Sequence, residues 1–420
     1  MKLFQPKILT AFKEYKTKDY VSDIIAGVIV AIIALPLSIA LAIASGARPE
    51  TGLYTAIIAG FVTALFGGSK VNITGPTAAF ATIVANIIFS QGMEGLFIAT
   101  IMAGILLIIM GLLRVGSLIK YIPHTITVGF TSGIAVTLAI GQLKDFFGLT
   151  YPAGTTAIET TEKLMLIIEN FSTFNPWAFA VGLLGIAILI VWPKIFKKFP
   201  ASLIAVIVGS LVCLLPFVYV NTIGSLYTIS SALPTFSLPQ ITWEKILALL
   251  PSAFTIALLA GIESLLSCVV SDKMINDTHN SNTELIALGM SNLLVGLFGG
   301  IPATGAIART AANVKNGGKS PLSGMIHALV LFLVLIALMP LASYIPMPII
   351  SAILLIVAYN MSEWRHFVSI IKSKKWEDIL VLVITFVLTV VFDLVKAIAV
   401  GLVVHYLIVL IKYLTQKNKK

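Results

Sequence analysis

The 420-residue sequence predicts an all-α membrane protein, with 14 transmembrane segments arranged as two inverted seven-segment repeats. Three observations predict it. The composition, 58% hydrophobic and only 11% charged, carries more apolar surface than one water-soluble core of this length hides. Apolar runs recur at about the 20 residues that a helix rising ~1.5 Å per residue needs to cross ~30 Å of hydrocarbon. A Leu-Phe-Gly-Gly tetrapeptide also occurs twice, each time ahead of a Thr-Gly pair that opens a short segment rich in small residues.

Taken in order, the apolar runs place spans near 21–45, 51–67, 75–91, 93–113, 126–147, 176–193 and 201–220. A second set follows near 246–271, 284–300, 303–313, 322–342, 345–360, 376–393 and 397–414, each bounded by Gly, Pro or charge. Segments 75–91 and 303–313 are marginal: both are rich in Ala, Gly and Thr, the second contains Arg309, and they are expected to be half-helices.

With the N-terminus inside, the cytoplasmic segments hold Lys70, Arg114, Lys120, Lys194, Lys197, Lys198, Lys273, Lys315, Lys319, Arg365, Lys372, Lys374 and Lys375, besides the lysines of both tails. Only Arg48, Lys144, Lys163, Lys245 and Lys396 fall outside, the asymmetry that the positive-inside rule requires. The expected organisation is a cytoplasmic segment 1–20, a first repeat 21–220, a second repeat 240–415 and a cytoplasmic tail 416–420, multi-pass in the plasma (inner) membrane. Lys2, Lys7, Lys13, Lys16 and Lys18 come without an early apolar stretch, so no cleavable signal peptide is expected. Cys213 and Cys268 lie inside apolar runs and offer neither a disulfide framework nor metal-ligand spacing. The net charge of +10 forms no aromatic-interleaved stripe, so membrane lipid and not nucleic acid is the expected partner.

The repeat rests on Leu65-Phe66-Gly67-Gly68 before Thr74-Gly75, and Leu297-Phe298-Gly299-Gly300 before Thr304-Gly305. Pro36 lies 39 residues before Gly75 and Glu263 lies 42 before Gly305, each in the long span upstream. An odd number of spans per half reverses its orientation, the signature of inverted-repeat transporters. Chance recurrence in Gly-rich membrane sequence is the alternative.

Two half-helices starting near the bilayer midplane leave backbone N–H groups and the positive ends of two dipoles facing the protein centre, which suits an anion. In the first, Thr74 is the expected cap, Gly75 permits close approach, Pro76 fits the first turn, and Thr77, Ala78 and Ala79 supply N–H groups. In the second, Thr304, Gly305, Ala306 and Ile307 play the same part, unless the small side chains serve only close helix packing. Charges inside spans cost roughly 3 kcal/mol or more and mark function. Glu263, with Ser267 four residues on and so on the same helical face, is a candidate carrier of a coupling proton, and Arg309 can give paired hydrogen bonds to an oxyanion. A structural Glu263–Arg309 ion pair is the alternative.

The histidines His124, His279 and His366 fall in loops or at span ends and are expected to be solvated or interfacial. His327 and His405 are expected as packed neutral rings, and Asp145, Asp272 and Asp393 need no function. Asn316-Gly317-Gly318-Lys319-Ser320 resembles a phosphate-binding loop, but Asn313 occupies the place of its first glycine. No His-Glu-x-x-His, Gly-x-Ser-x-Gly or Cys-x-x-Cys is present, so neither an enzyme nor a bound cofactor is expected.

Four stretches carry a family resemblance: Asn72-Ile73-Thr74-Gly75-Pro76-Thr77, Gly261-Ile262-Glu263-Ser264-Leu265-Leu266-Ser267, Ser281-Asn282-Thr283-Glu284-Leu285, and Gly299-Gly300-Ile301-Pro302-Ala303-Thr304-Gly305-Ala306-Ile307-Ala308-Arg309-Thr310. The chain resembles the sulfate permease family over about residues 15–415. The resemblance implies a core domain (segments 1–4 and 8–11) moving against a gate domain (5–7 and 12–14), with the anion between segments 1, 3, 8 and 10. It implies that Glu263 is the acidic position linked to proton or cation coupling, that Arg309 is the basic position near the anion, and that Thr77 and Ser267 line the sites. Where many members carry Gln after the proline of segment 1, this chain has Leu37 and Ser38 after Pro36. Most members also continue into a cytoplasmic regulatory domain, so a chain ending at Lys420 is expected to be a truncated or short form.

The leading expectation is a proton-coupled symporter of sulfate or a similar small oxyanion. Sodium-coupled bicarbonate uptake, dicarboxylate transport, an uncoupled exchanger or channel, and a non-transporting scaffold are the alternatives. The oligomeric state is open between monomer and homodimer.

Overall fold

The computed structural model describes residues 4–12, 15–117, 123–152, 154–155, 157, 159–196, 199–373, 375–392 and 394–417. Lys2, Lys13, Lys120, Lys197, Lys198, Lys374, Lys419, Lys420 and Asp393 lie outside the described residues. A short α1 (Ile8–Ala11) precedes α2 (Thr17–Ala44) and α3 (Pro49–Phe66), after which strand β1 (Thr74–Gly75) and a 3-10 turn (Ala78–Phe80) lead into α4 (Ala81–Leu112). Next come α5 (His124–Phe147), α6 (Thr160–Glu169), α7 (Pro176–Ile195), α8 (Ala201–Val212) and α9 (Ile223–Leu226). The chain continues with α10 (Trp243–Ile275), α11 (Ser281–Leu297), strand β2 (Thr304–Gly305), α12 (Ile307–Lys315) and α13 (Pro321–Leu338). It ends with α14 (Met347–Met361), α15 (Trp364–Lys372), α16 (Trp376–Val391) and α17 (Leu394–Lys417).

Among the described residues, eight helices are long and apolar enough to cross a membrane. Four others, α8, α11, α12 and α16, have only 12, 17, 9 and 16 residues. At ~1.5 Å per residue, α12 rises only about 14 Å, half a bilayer. The long helix α4 is broken at Gly92 (φ 69°, ψ −175°), between the two spans expected at 75–91 and 93–113.

The helices pack in two groups. One contains α2, α3, α4, α10, α11, α12 and α13, with α4 against α10 and α11, and α13 against α2 and α3. The other contains α5, α7, α8, α14, α16 and α17, with α5 between α14 and α16, and α7 against α8 and α14. Contacts of α2 with α5, α8 and α14 join the groups. The α4–α11 crossing is close enough that a Cβ on Gly104 would stand 2.7 Å from the Gly289 carbonyl oxygen, and one on Gly289 2.5 Å from that of Gly104. Only hydrogen fits there on either helix.

The short segments differ from expectation in one respect. Thr74 and Thr304 do not cap helices. They pair in an antiparallel ribbon, Thr74 opposite Gly305 and Gly75 opposite Thr304, and the helical turns begin only at Ala78 and Ile307. A ladder consumes the backbone groups that a cap leaves free, so the ribbon displaces both helix starts by a few residues. At the other end of the first group, Asn316–Ser320 does hold an anion, but an internal one. The backbone N–H groups of Lys319 (2.6 Å) and Ser320 (3.3 Å) donate to Asp23, and Lys319 Nζ lies 2.6 Å from Asp19, both on α2.

Candidate anion site

The ribbon brings the two helix starts side by side. The first N–H groups of a helix have no partner within it, so Ala78 and Ala79 in one turn, and Ile307 and Ala308 in α12, present donors. The N–H of Ala306 is different: it donates to the Ile73 carbonyl at 2.9 Å and extends the ribbon. Among the residues expected to bind the anion, Ala306 is therefore a spacer, while Ile307 is open, at 41% exposure. Gly75 and Gly305 keep the ribbon thin. A Cβ on Gly75 would meet Arg309 Nη1 at 2.4 Å, and one on Gly305 would meet Asn72 Nδ2 at 2.7 Å and Ser264 Oγ at 2.8 Å.

Arg309, on the first turn of α12, is 2% exposed and reaches across to the other helix start, where Nη2 donates to the Pro76 carbonyl at 2.6 Å. Its Nε and Nη1 are buried without a hydrogen-bond partner, and no carboxylate among the described residues pairs with it. The expected alternative, a Glu263–Arg309 ion pair, is not formed. Glu263 instead accepts a hydrogen bond from Thr77 Oγ1 at 3.0 Å, so the carboxyl of α10 meets the residue just before the opposite half-helix. His327 of α13, fully buried, lies beside the ribbon: the point a Cβ would occupy on Gly60 is 3.2 Å from its Nδ1 and 3.5 Å from the Thr74 carbonyl oxygen.

Ser267 is not at the carboxyl of Glu263 but in a polar knot one turn away. Its hydroxyl bonds to Asn72 Oδ1 at 2.7 Å and to Thr310 Oγ1 at 3.0 Å, while Thr310 also accepts from the Ile73 N–H at 3.0 Å. Asn72 Nδ2 donates to Glu284 at 2.7 Å, and Glu284 accepts in addition from the N–H groups of Gly68 (2.7 Å) and Ser69 (3.1 Å). This knot ties the loop after α3 to α10, α11 and α12, and so fixes the ribbon on which both helix starts depend. Asn72, Thr310 and Glu284 stand in the family-like stretches, but uncharged side chains and a carboxylate near a span end give no sign of this role by residue type alone. Thr304 Oγ1 adds a bond to the Ala260 carbonyl at 2.8 Å.

Of the histidines, His279 is packed and not solvated, with Nδ1 2.6 Å from Asp272 and Nε2 2.9 Å from Ser281 Oγ. His124 and His366 stack edge to face at 5.6 Å.

Comparison with known proteins places this arrangement. The profile of the sulfate permease family matches residues 20–385. A Bacillus subtilis (strain 168) protein, YvdB, which carries a provisional sulfate-transporter name, is 43% identical over 401 residues, 94% of this chain and 74% of its own. The bicarbonate transporter BicA of Picosynechococcus sp. is 33% identical over 393 residues, 91% of this chain and 69% of its own. In structure, the transmembrane domain of a cyanobacterial BicA superposes with a TM-score of 0.82 at 31% identity, covering 91% of this chain and 98% of that one. The overall structure of SLC26A9 gives a TM-score of 0.87 at 22% identity, a likeness of fold, over 96% of this chain and 68% of that one. With the profile spanning most of its length and relatives above 30% identity aligned along two thirds or more of theirs, the chain belongs to the sulfate permease family, whose members are membrane anion transporters and not enzymes.

Proposed function

We propose that the protein is a secondary active transporter of a small oxyanion, sulfate first, coupled to protons through Glu263. The observation that carries this reading is Arg309, a buried guanidinium beside two helix starts, paired with no carboxylate among the described residues. An unpaired buried charge is costly, and an oxyanion accepting from its free N–H groups and from the N–H groups of Ala78, Ala79, Ile307 and Ala308 offsets that cost. Thr77 supplies a hydroxyl between this anion and Glu263, and Ser267 holds the ribbon. Gly305 and Ala306 contribute close approach, since their small side chains leave the donors uncovered.

Two inverted seven-segment repeats, fourteen crossings in all, support transport by moving the first packing group as a core against the second as a gate. The packing is consistent with such symmetry: α3 against α13 is matched by α11 against α4, α2 against α13 by α10 against α4, and α5 against α16 by α14 against α7. Both termini are placed in the cytoplasm on the strength of the basic segments, with the plasma membrane as the proposed location.

An ionised Glu263 repels the anion and a protonated one does not, so proton and anion each favour binding of the other. Sulfate uptake into proteoliposomes is expected to rise as external pH falls. Glu263→Gln, which mimics the protonated side chain, is expected to keep anion exchange and lose accumulation driven by a pH gradient. Undiminished pH-driven accumulation by Glu263→Gln would remove Glu263 as proton carrier. A second reading, bicarbonate as the anion with sodium as the coupling ion, is favoured for its anion by the 33% identity to BicA. Competition of unlabelled bicarbonate, sulfate and C4-dicarboxylates against labelled sulfate, with and without sodium, separates the two.

A further inference from the structure

A second group of ligand-bearing side chains lies in the gate group, away from the helix starts. His124 opens α5, and Glu363 and His366 flank the start of α15. One donor atom from each lies within 4.8 Å of the others. His366 Nδ1 is 3.4 Å from Glu363 Oε2, yet that oxygen, shielded from solvent, makes no hydrogen bond. Glu363 holds a left-handed backbone (φ 47°, ψ 30°), a conformation that strains a residue with a side chain. The neighbouring cation, Arg365, is turned onto the Trp364 ring, 5.5 Å from its centroid, and does not fill the space between the three.

Two imidazoles and one carboxylate suit a borderline dication. Zn2+ takes His nitrogens and carboxylate oxygens at about 2.0–2.2 Å in a tetrahedron, which sets ligand atoms roughly 3.4 Å apart. Glu363 and His366 already stand at that separation, and His124 needs to close by little more than 1 Å, which its exposed ring can do by rotation. Hard cations such as Mg2+ and Ca2+ want oxygen ligands throughout and do not fit this donor set. We propose that His124, Glu363 and His366 bind Zn2+, with water as fourth ligand, and that the ion staples α15 to the start of α5.

The test uses the full chain, purified without a histidine tag, with Zn2+ titrated against a chromophoric chelator. One ion per chain is expected, undisturbed by excess Mg2+. His124→Ala and His366→Ala are each expected to weaken binding by roughly 10- to 100-fold or more, since even outer-shell partners cost that much, whereas His405→Ala leaves it unchanged. Zn2+ is also expected to raise the unfolding temperature of the wild type and not of His124→Ala, which reports on the site in a variant shown to be folded. Wild-type affinity retained by the double variant His124→Ala/His366→Ala, or no Zn2+ bound by the wild type at 100-fold excess, would overturn the proposal.

Discussion

A guanidinium that is 2% exposed and bonded only to the Pro76 carbonyl is held in place by the fold but not neutralised by it. This makes Arg309 the residue at which affinity is most simply tested. Arg309→Ala is expected to weaken sulfate binding by about 1.5–3 kcal/mol, tenfold or more, because a hydrogen bond to a charged group is lost. Arg309→Lys restores part of it, since a point charge replaces the fork that matches two oxyanion oxygens. Equal sulfate affinity in wild type and a folded Arg309→Ala protein, measured by tracer displacement, would leave Arg309 with only its bond to Pro76. The sequence made Arg309 and Glu263 legible because each is a charge in an apolar run. Asn72 and Thr310 were not, because a polar uncharged side chain beside a Gly-rich turn looks the same whether it faces solvent or organises a core.

Among elements, the crossing of α4 and α11 is lined by glycines of both helices, and Gly104 and Gly289 face each other across it. Gly104→Ala places a methyl 2.7 Å from the Gly289 carbonyl oxygen, inside van der Waals contact, so the helices must separate. A cost of about 1–3 kcal/mol is expected, as for other overpacked sites. Gly141→Ala on α5, where a Cβ meets nothing within 4 Å, is the control, expected to be neutral or slightly stabilising. Thermal unfolding in detergent compares them, and equal midpoints would show that the α4–α11 contact yields without cost. The Ala-, Gly- and Thr-rich composition of 75–91 and 303–313 marks the half-helices, but it does not show that Thr74–Gly75 and Thr304–Gly305 pair with each other. That pairing joins residues from opposite halves of the chain, and no local pattern encodes it.

Across the whole molecule, the N-terminal segment is tied to the first packing group. Gln5 N–H donates to Thr283 Oγ1 at 3.0 Å, and Lys7 N–H to the Gly67 carbonyl at 2.9 Å. Lys7 Nζ (3.0 Å) and Lys70 Nζ (3.1 Å) both reach Asp277 in the turn between α10 and α11. Partial burial there disfavours the Asp277 charge, but hydrogen bonds from the Thr278 backbone and from Lys7 and Lys70 outweigh it and hold the carboxyl below its ordinary range. A lowered carboxyl pKa stabilises the fold above the unfolded value near ~4, and that contribution is lost as pH falls through the lower folded value. Asp277→Asn is therefore expected to unfold at a lower temperature than wild type at pH 7, by no more than about 1 kcal/mol because solvent screens the pair. The gap should close as pH is brought toward 4 and below. A gap independent of pH would mean that the turn needs the shape of Asp277 and not its charge.

Composition and periodicity by themselves determined that this chain lives in lipid as a helical protein, because so apolar a chain has no other solvent and buried backbone must bond within its own helix. The repeated Leu-Phe-Gly-Gly and the family-like stretches pointed to the helix starts, since Gly, Thr and Ala are the residues that leave backbone donors uncovered. Only the tertiary structure decided which donors are free. The ribbon takes the N–H of Ala306, the polar knot takes Ser267, and Thr77 rather than Arg309 meets Glu263. Each outcome depends on a partner about 40 to 240 residues away, and hydrogen bonds between such partners are fixed by how the helices pack, which a reading of one segment at a time does not contain.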